Sequence, residues 1–381
     1  MDPVRWIWQT PRWPQLTFDA ARLARPLALA RQESGALFGK AAVIGLEEQA
    51  VLEREVWSRE AVATAAIEGE AIDLVAVRSS VARRLGLARQ GHAVPHSVEG
   101  LLDVMENAAD AWEQPLTRER LCAWQAALFP GVSTIRDIVV GEFRSSDEPM
   151  QIVSGPHGRE TVHYQAVAGA AVRAEMHAFL DWFNRAAEID GLLRAGLAHV
   201  WFESIHPFED GNGRVGRAVV DLALAQDARR ASRLLGISEA MRRRQDGYYD
   251  ALNVAQRGDG DVTPWLEWFL DTYTEACRTS TALIGEALAR ARFWADHHAV
   301  PLNEMQRRVL NKMLDAGPGR FDGGLTARKY TVIAGTTKVT ASRHIADLLA
   351  KGLIVRVEGP GGRSTRYDLA LAGWQWRPTP V

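Results

Sequence analysis

This sequence of 381 residues predicts a mainly α-helical chain with one β-hairpin and a small helix-and-ribbon module near its C-terminal end. Three observations lead there. Apolar residues recur at helical spacing, as in Leu52, Val56, Ala63 and Ile67, and again in Leu193, Leu197, Val200, Trp201 and Ile205. Two short β-prone runs within 150–164 flank Gly155-Pro156-His157-Gly158, the pattern of a hairpin. Late in the chain, two short helical stretches separated by Ala334-Gly335-Thr336 precede two strand-like runs around Gly359-Pro360-Gly361-Gly362.

Bulk composition narrows the function classes. The length suffices for two or three domains, and a net charge of -2 exerts no global pull toward nucleic acid. Cys122 and Cys277 are too few for a disulfide framework and show no zinc-ligand spacing. Met1-Asp2-Pro3-Val4-Arg5-Trp6 lacks the apolar core of a signal peptide, and no run of about twenty apolar residues appears. The expectation is a cytoplasmic protein without a membrane partner.

The first region, 1–95, opens with Trp6-Ile7-Trp8-Gln9 and Trp13-Pro14 and then turns helical. Its helix through Leu52, Val56, Ala63 and Ile67 ends at Gly69, a C-terminal cap. Glu68 thus sits in the last turn, against the negative end of the helix dipole, at a cost of up to about 1 kcal/mol unless a cation compensates. Thr64 lies one turn earlier on the same face. Otherwise Glu68 is one more solvated acid on a charged helix.

The second region, 96–275, holds the hairpin and then His206-Pro207-Phe208-Glu209-Asp210-Gly211-Asn212-Gly213-Arg214-Val215-Gly216-Arg217. The apolar helix before it is stopped by Pro207, so His206 sits at a helix-to-loop corner. Gly211 and Gly213 permit positive φ and close backbone approach, and Val215, Val219 and Leu222 resume the helical period. A loop that feeds a helix N-terminus presents free N–H groups and is an anion site. Arg214 and Arg217 share a face and fork onto phosphate oxygens, while Asp210 supplies one hard oxygen for a Mg²⁺. Gly211 to Gly216 formally reads G-x-G-x-x-G, yet a helix precedes it and no acid follows about twenty residues on, so the dinucleotide fingerprint is excluded.

These twelve residues resemble the H-P-F-x-[DE]-G-N-G-R-x-x-R signature of Fic-family nucleotidyltransferases, matched at every fixed position. The resemblance implies a helical Fic core that transfers AMP from ATP to a Ser, Thr or Tyr hydroxyl, with Mg²⁺. It makes His206 the general base, Asp210 the metal ligand, and Asn212, Arg214 and Arg217 phosphate-holding, with the backbone of Gly211 and Gly213 completing the nest. Thr64, Glu68 and Gly69 resemble the inhibitory [ST]-x-x-x-E-[GN] motif of some members, in which the glutamate pairs with the second arginine. The implied contact is a bidentate Glu68–Arg217 pair. The hairpin at 150–164 resembles the flap on which a protein target docks by strand addition, although a purely structural hairpin looks the same. Tyr248, Tyr249 and Asn253 resemble the adenine side of the site, where core aromatics would read alike.

This core closes with a helix from Trp265 to Leu270, and a separate helix from Arg278 to His297, within 276–299, links it to the last module at 300–372. That module reads as a winged helix-turn-helix, with helices at Thr326–Ile333 and Thr337–Lys351 and a ribbon of Leu353–Val357 with Ser364–Leu369. Between Thr326 and Leu369 there are eight Lys or Arg against three Asp or Glu. Lys338, Thr340, Ser342 and Arg343 begin its second helix, where groove-reading helices place their contacts, so 326–369 points to DNA as a partner. Such modules also dock proteins or form homodimers. The alternative for the whole chain is therefore a DNA-binding regulator whose core senses a nucleotide or removes AMP.

Overall fold

The computed structural model describes residues 6–87, 94–131, 138–154, 159, 161–186, 188–231, 233–357 and 365–375. The turns expected at 155–158 and 359–362 lie outside them. The chain divides into two compact units, 1–281 and 282–381. No helix among the described residues is long and apolar enough to cross a membrane.

In the first unit the helices are α1 (Ala20–Ala41), α2 (Leu46–Ile67), α3 (Leu74–Arg84), α4 (His96–Asp110), α5 (Arg118–Leu128), α6 (Gly169–Arg185), α7 (Gly191–Ile205), α8 (Asn212–Ala228), α9 (Ile237–Arg243) and α10 (Gln245–Gln256). Strands β1 (Gln151–Ser154) and β2 (Thr161–Gln165) form the hairpin between α5 and α6. Local chemistry sets many helix starts: Asp19, Asp73, Thr117 and Asp190 each accept a hydrogen bond from a first-turn N–H.

Helix α7 is apolar on nearly every face, and a helix of that kind is buried; it packs against α8, α6 and α10 at the centre of the unit. The signature loop is therefore held between two of the most buried helices. Helix α2 lies along α3 and α9. The buried Glu60 of α2 accepts from Ser238 N (2.6 Å) and Glu239 N (3.0 Å), giving the α9 N-terminus the anion it favours. Burial pushes that carboxyl up to about 7 against these hydrogen bonds.

The hairpin pairs antiparallel, Ile152 with Tyr164 and Val153 with Val162, so that His163 is the extra residue of a bulge. The early tryptophans explain why the hairpin sits where it does. Trp6 packs edge-on against Tyr164, Trp8 Nε1 donates to Gln165 O (2.7 Å), and Tyr164 Oη donates to Ser204 O at the end of α7 (2.7 Å).

The long helix α11 runs unbroken over Thr263–Asp296, which corrects the expectation of two helices there. The reason is plain in the sequence: Asp271 to Cys277 contains neither Gly nor Pro to end the first.

In the second unit, α12 (Glu304–Ala316), α13 (Ala327–Ala334) and α14 (Lys338–Ala350) are followed by the antiparallel pair β3 (Ile354–Val357) and β4 (Arg366–Leu369). Asn303, Thr326 and Thr337 cap the three helices, and Gly335 takes φ +63° to end α13. Leu310, Met313, Tyr330, Ile345, Leu348 and Leu369 belong to one core of this unit.

Candidate active site

The corner at the end of α7 is built by an unusual backbone and one buried cation. His206 closes α7 in the left-handed region (φ 53°, ψ 63°), a conformation few non-glycine residues adopt. Arg144 holds it there: the guanidinium donates to His206 O (2.7 Å), Ile205 O (3.0 Å) and Val167 O (2.6 Å), and Arg144 N donates to Pro207 O (2.9 Å). A cation over the last carbonyls of a helix suits its negative end, and burial lowers this guanidinium to about 10. Arg144→Leu leaves three buried carbonyls without a donor, so a loss of about 3 kcal/mol is expected in urea unfolding.

The loop then turns through Gly211 at φ +85° into α8. Asp210 Oδ1 accepts from Gly211 N (2.6 Å). Asn212 is spent on the loop itself, since Oδ1 accepts from Phe208 N and Nδ2 donates to Phe208 O, both at 2.8 Å. Its side chain thus shapes the turn, and the donors that α8 leaves to the expected nest are its first-turn N–H groups, which have no intrahelical acceptor.

Both signature arginines are engaged by the end of α2. Arg217, buried, donates from Nε to Thr64 Oγ1 (2.7 Å) and from Nη2 to Thr64 O (2.9 Å) and Glu68 Oε1 (2.8 Å). The pair with Glu68 is thus single rather than bidentate, because Thr64 takes the second edge of the guanidinium. Nη1 is buried with no hydrogen bond among the described residues. Arg214 Nη1 lies 2.8 Å from Glu70 Oε1 and its Cζ stands 5.2 Å from the centroid of the Phe129 ring. Gly69 at φ +78° makes the turn that presents both acids. Gly213 is the seat of Glu68, because a Cβ there would overlap Glu68 Oε1.

A pocket of about 740 Å³ brings part of the site together, whereas Arg214 and Arg217 line a separate small cavity with Thr64 and Glu60. His206, Gly213 and Glu68 line one side, Tyr248, Tyr249 and Asn253 of α10 another, and Ile152, Val153 and His163 of the hairpin a third. Tyr248 is nearly buried and bonds His199 Nε2 (2.8 Å), so it is a wall as well as a core residue. The half-exposed Tyr249 donates to Ile67 O (3.0 Å) and so fastens the end of α2.

Residues 115–224 match the Fic/DOC family, and residues 6–87 match a domain of unknown function, DUF4172. The whole run His206–Arg217 falls inside the Fic/DOC match, whereas Thr64, Glu68 and Gly69 fall inside the DUF4172 match. Among similar proteins, a probable protein adenylyltransferase of Aquifex aeolicus is 33% identical over 79 residues, 21% of this chain and 22% of that one. The protein adenylyltransferase fic-1 of Caenorhabditis elegans is 31% identical over 127 residues, 31% of this chain and 23% of that one. The chain thus spans less than a quarter of either curated relative. The fold agrees with a crystal structure of a Fic family protein from Desulfovibrio desulfuricans, with a TM-score of 0.53 at 24% identity over 91% of this chain and 95% of that one. A Fic domain containing signaling protein from Bacteroides thetaiotaomicron gives 0.51 at 16% identity, covering 68% and 98%.

Sequence reasoning about this site missed Arg144, Glu70 and Glu203. A lone arginine in a loop carries no signal, and Glu70 falls beyond the Gly69 cap where helical spacing stops applying. Glu203 was detectable, as a carboxylate in the otherwise apolar last turns of α7.

Proposed function

We propose that the chain is an auto-inhibited protein adenylyltransferase that moves AMP from ATP to a Ser, Thr or Tyr hydroxyl of a protein target or of itself. The observation that carries the reading is the single pocket lined by His206, the start of α8, the aromatic face of α10 and the hairpin. Its volume lies in the range of small-molecule and cofactor sites. In the reaction, the target O–H bond breaks and its proton passes to a ring nitrogen of His206. The hydroxyl oxygen bonds the α-phosphorus, and the bond to the β-phosphate oxygen breaks, so that pyrophosphate leaves with the electron pair. Arg214, Arg217 and the N–H groups at the start of α8 carry the phosphate charge. The hairpin offers strand pairing to the target segment.

Asp210 fits a Mg²⁺ shared with phosphates. One of its oxygens serves Gly211 and the exposed carboxylate retains the other, and such an ion takes most of its ligands from water and substrate. When bound, the ion supplies further charge neutralisation.

The inhibited state is supported by the engagement of both arginines, Arg217 by Glu68 and Arg214 by Glu70. Because Glu70 is half exposed, Glu70→Ala should raise transfer only about two-fold, the size of an exposed ion pair. The reading as a whole is tested by incubating the purified chain and its Glu68→Gly variant with Mg²⁺ and ATP labelled at the α-phosphate or at the γ-phosphate. Covalent label from the α-position alone is expected, and label from the γ-position would replace the assignment with phosphoryl transfer.

A second reading concerns α14, where Lys338, Ser342 and Arg343 are exposed on one stretch of helix that suits a DNA groove. A gel shift that weakens as salt rises is its test.

A further inference from the structure

We propose that Glu203 is a positioning residue for His206: its buried carboxylate turns the Nδ1 edge of the ring inward, leaves Nε2 as the proton acceptor, and balances the imidazolium that forms. The inference rests on the adenylyltransferase reading for the role of His206 and adds how that ring is held.

Glu203 stands three residues before His206 in the last turn of α7, so the two share a face. An ionised acid there meets the negative end of the helix and is 4% exposed, two conditions that oppose it without a cationic partner. Oε2 lies 3.6 Å from His206 Nδ1. That is ion-pair range and about half an ångström beyond a hydrogen bond. His206 Nδ1 is buried with no hydrogen bond among the described residues, and Glu203 Oε2 is the carboxylate oxygen that approaches it, while Oε1, also without a hydrogen bond among them, lies over Gly216.

The fold makes room for this carboxylate. A Cβ on Gly216 would lie 2.5 Å from Glu203 Oε1, so the glycine between the two signature arginines opens α8 to the acid. The surrounding groups leave the charge to His206. Burial disfavours the imidazolium of His199, which meets Tyr248 Oη at 2.8 Å. Burial likewise raises the phenols of Tyr164 and Tyr248, which stay protonated. Arg217 is committed to Glu68 and Thr64. Burial alone would raise the Glu203 carboxyl; the contact with His206 outweighs it and holds it below the usual carboxylate range.

The test uses full-length protein with ¹⁵N-labelled histidine, the His206 signals being assigned by their loss in His206→Ala. At about pH 8.5, two units above the ordinary imidazole value, the wild-type His206 ring is expected to carry its proton on Nδ1. In Glu203→Gln the amide N–H₂ can donate to Nδ1 and select the Nε2–H form, which cannot accept a proton at Nε2. That variant should show the Nε2–H tautomer and lose about 100-fold or more in kcat with the KM for ATP unchanged. A wild-type ring protonated on Nε2 overturns the proposal, and so does a Glu203→Gln protein that keeps the Nδ1–H form. If Glu203→Gln fails to fold, the wild-type spectrum decides alone. If the tautomer is as expected but neither wild type nor Glu68→Gly transfers AMP, the transferase reading fails while the positioning stands.

Discussion

Replacing His206 with alanine is expected to lower AMP transfer by about 10²- to 10⁴-fold, the usual contribution of a positioned general base. Nucleotide affinity should persist. The phosphates are assigned to Arg214, Arg217 and the start of α8, and the base to the α10 wall, none of which the imidazole supports. The backbone of the corner is held by Arg144 through carbonyl groups, and these remain when the side chain is cut. Alanine must still occupy a left-handed position, so His206→Asn, which tolerates that conformation better, serves as the folding control. Titration calorimetry with ATP beside the α-labelled transfer assay checks both halves. Wild-type turnover by His206→Ala would remove the base assignment.

Glu68→Gly is expected to act in the opposite direction and raise transfer by about 10- to 100-fold. The scale follows from one charge-assisted hydrogen bond to a buried guanidinium, roughly 1.5–3 kcal/mol. Glu68 Oε1 lies 2.8 Å from Arg217 Nη2 and occupies the space that Gly213 leaves open, so it opposes a phosphate both sterically and by charge. Its loss costs no more stability than that bond, because Thr64 continues to accept from Nε and Nη2 of Arg217. Steady-state rates of the variant against wild type decide the matter. An equal or lower rate from a folded Glu68→Gly protein would exclude the inhibitory role.

Much of this site was legible in the sequence because its parts are local. Twelve contiguous residues specify a helix end, a glycine turn and a helix start, and each has a steric or hydrogen-bonding signature. The Glu68–Arg217 contact spans 149 positions, yet an acid in a last helical turn already demanded a cation. What stayed hidden was how single groups are shared. That Arg217 divides its donors between Thr64 and Glu68, or that Asn212 spends its amide on Phe208, depends on side-chain aim rather than spacing. Two helices were expected where α11 is one, and no helix-breaking residue stands between Leu270 and Arg278. The ribbon and helices of the second unit followed their caps, since Thr326 and Thr337 mark helix starts chemically.

Tyr249 turns its ring to the pocket and gives its hydroxyl to the last carbonyl of α2. One side chain is therefore common to the chamber and to the end of α2, beside the acid proposed to be inhibitory. On the proposed function, a ligand that stacks on that ring and loosens the anchorage is bound by linkage: the factor gained in occupancy by loosening the turn equals the factor by which occupancy loosens it.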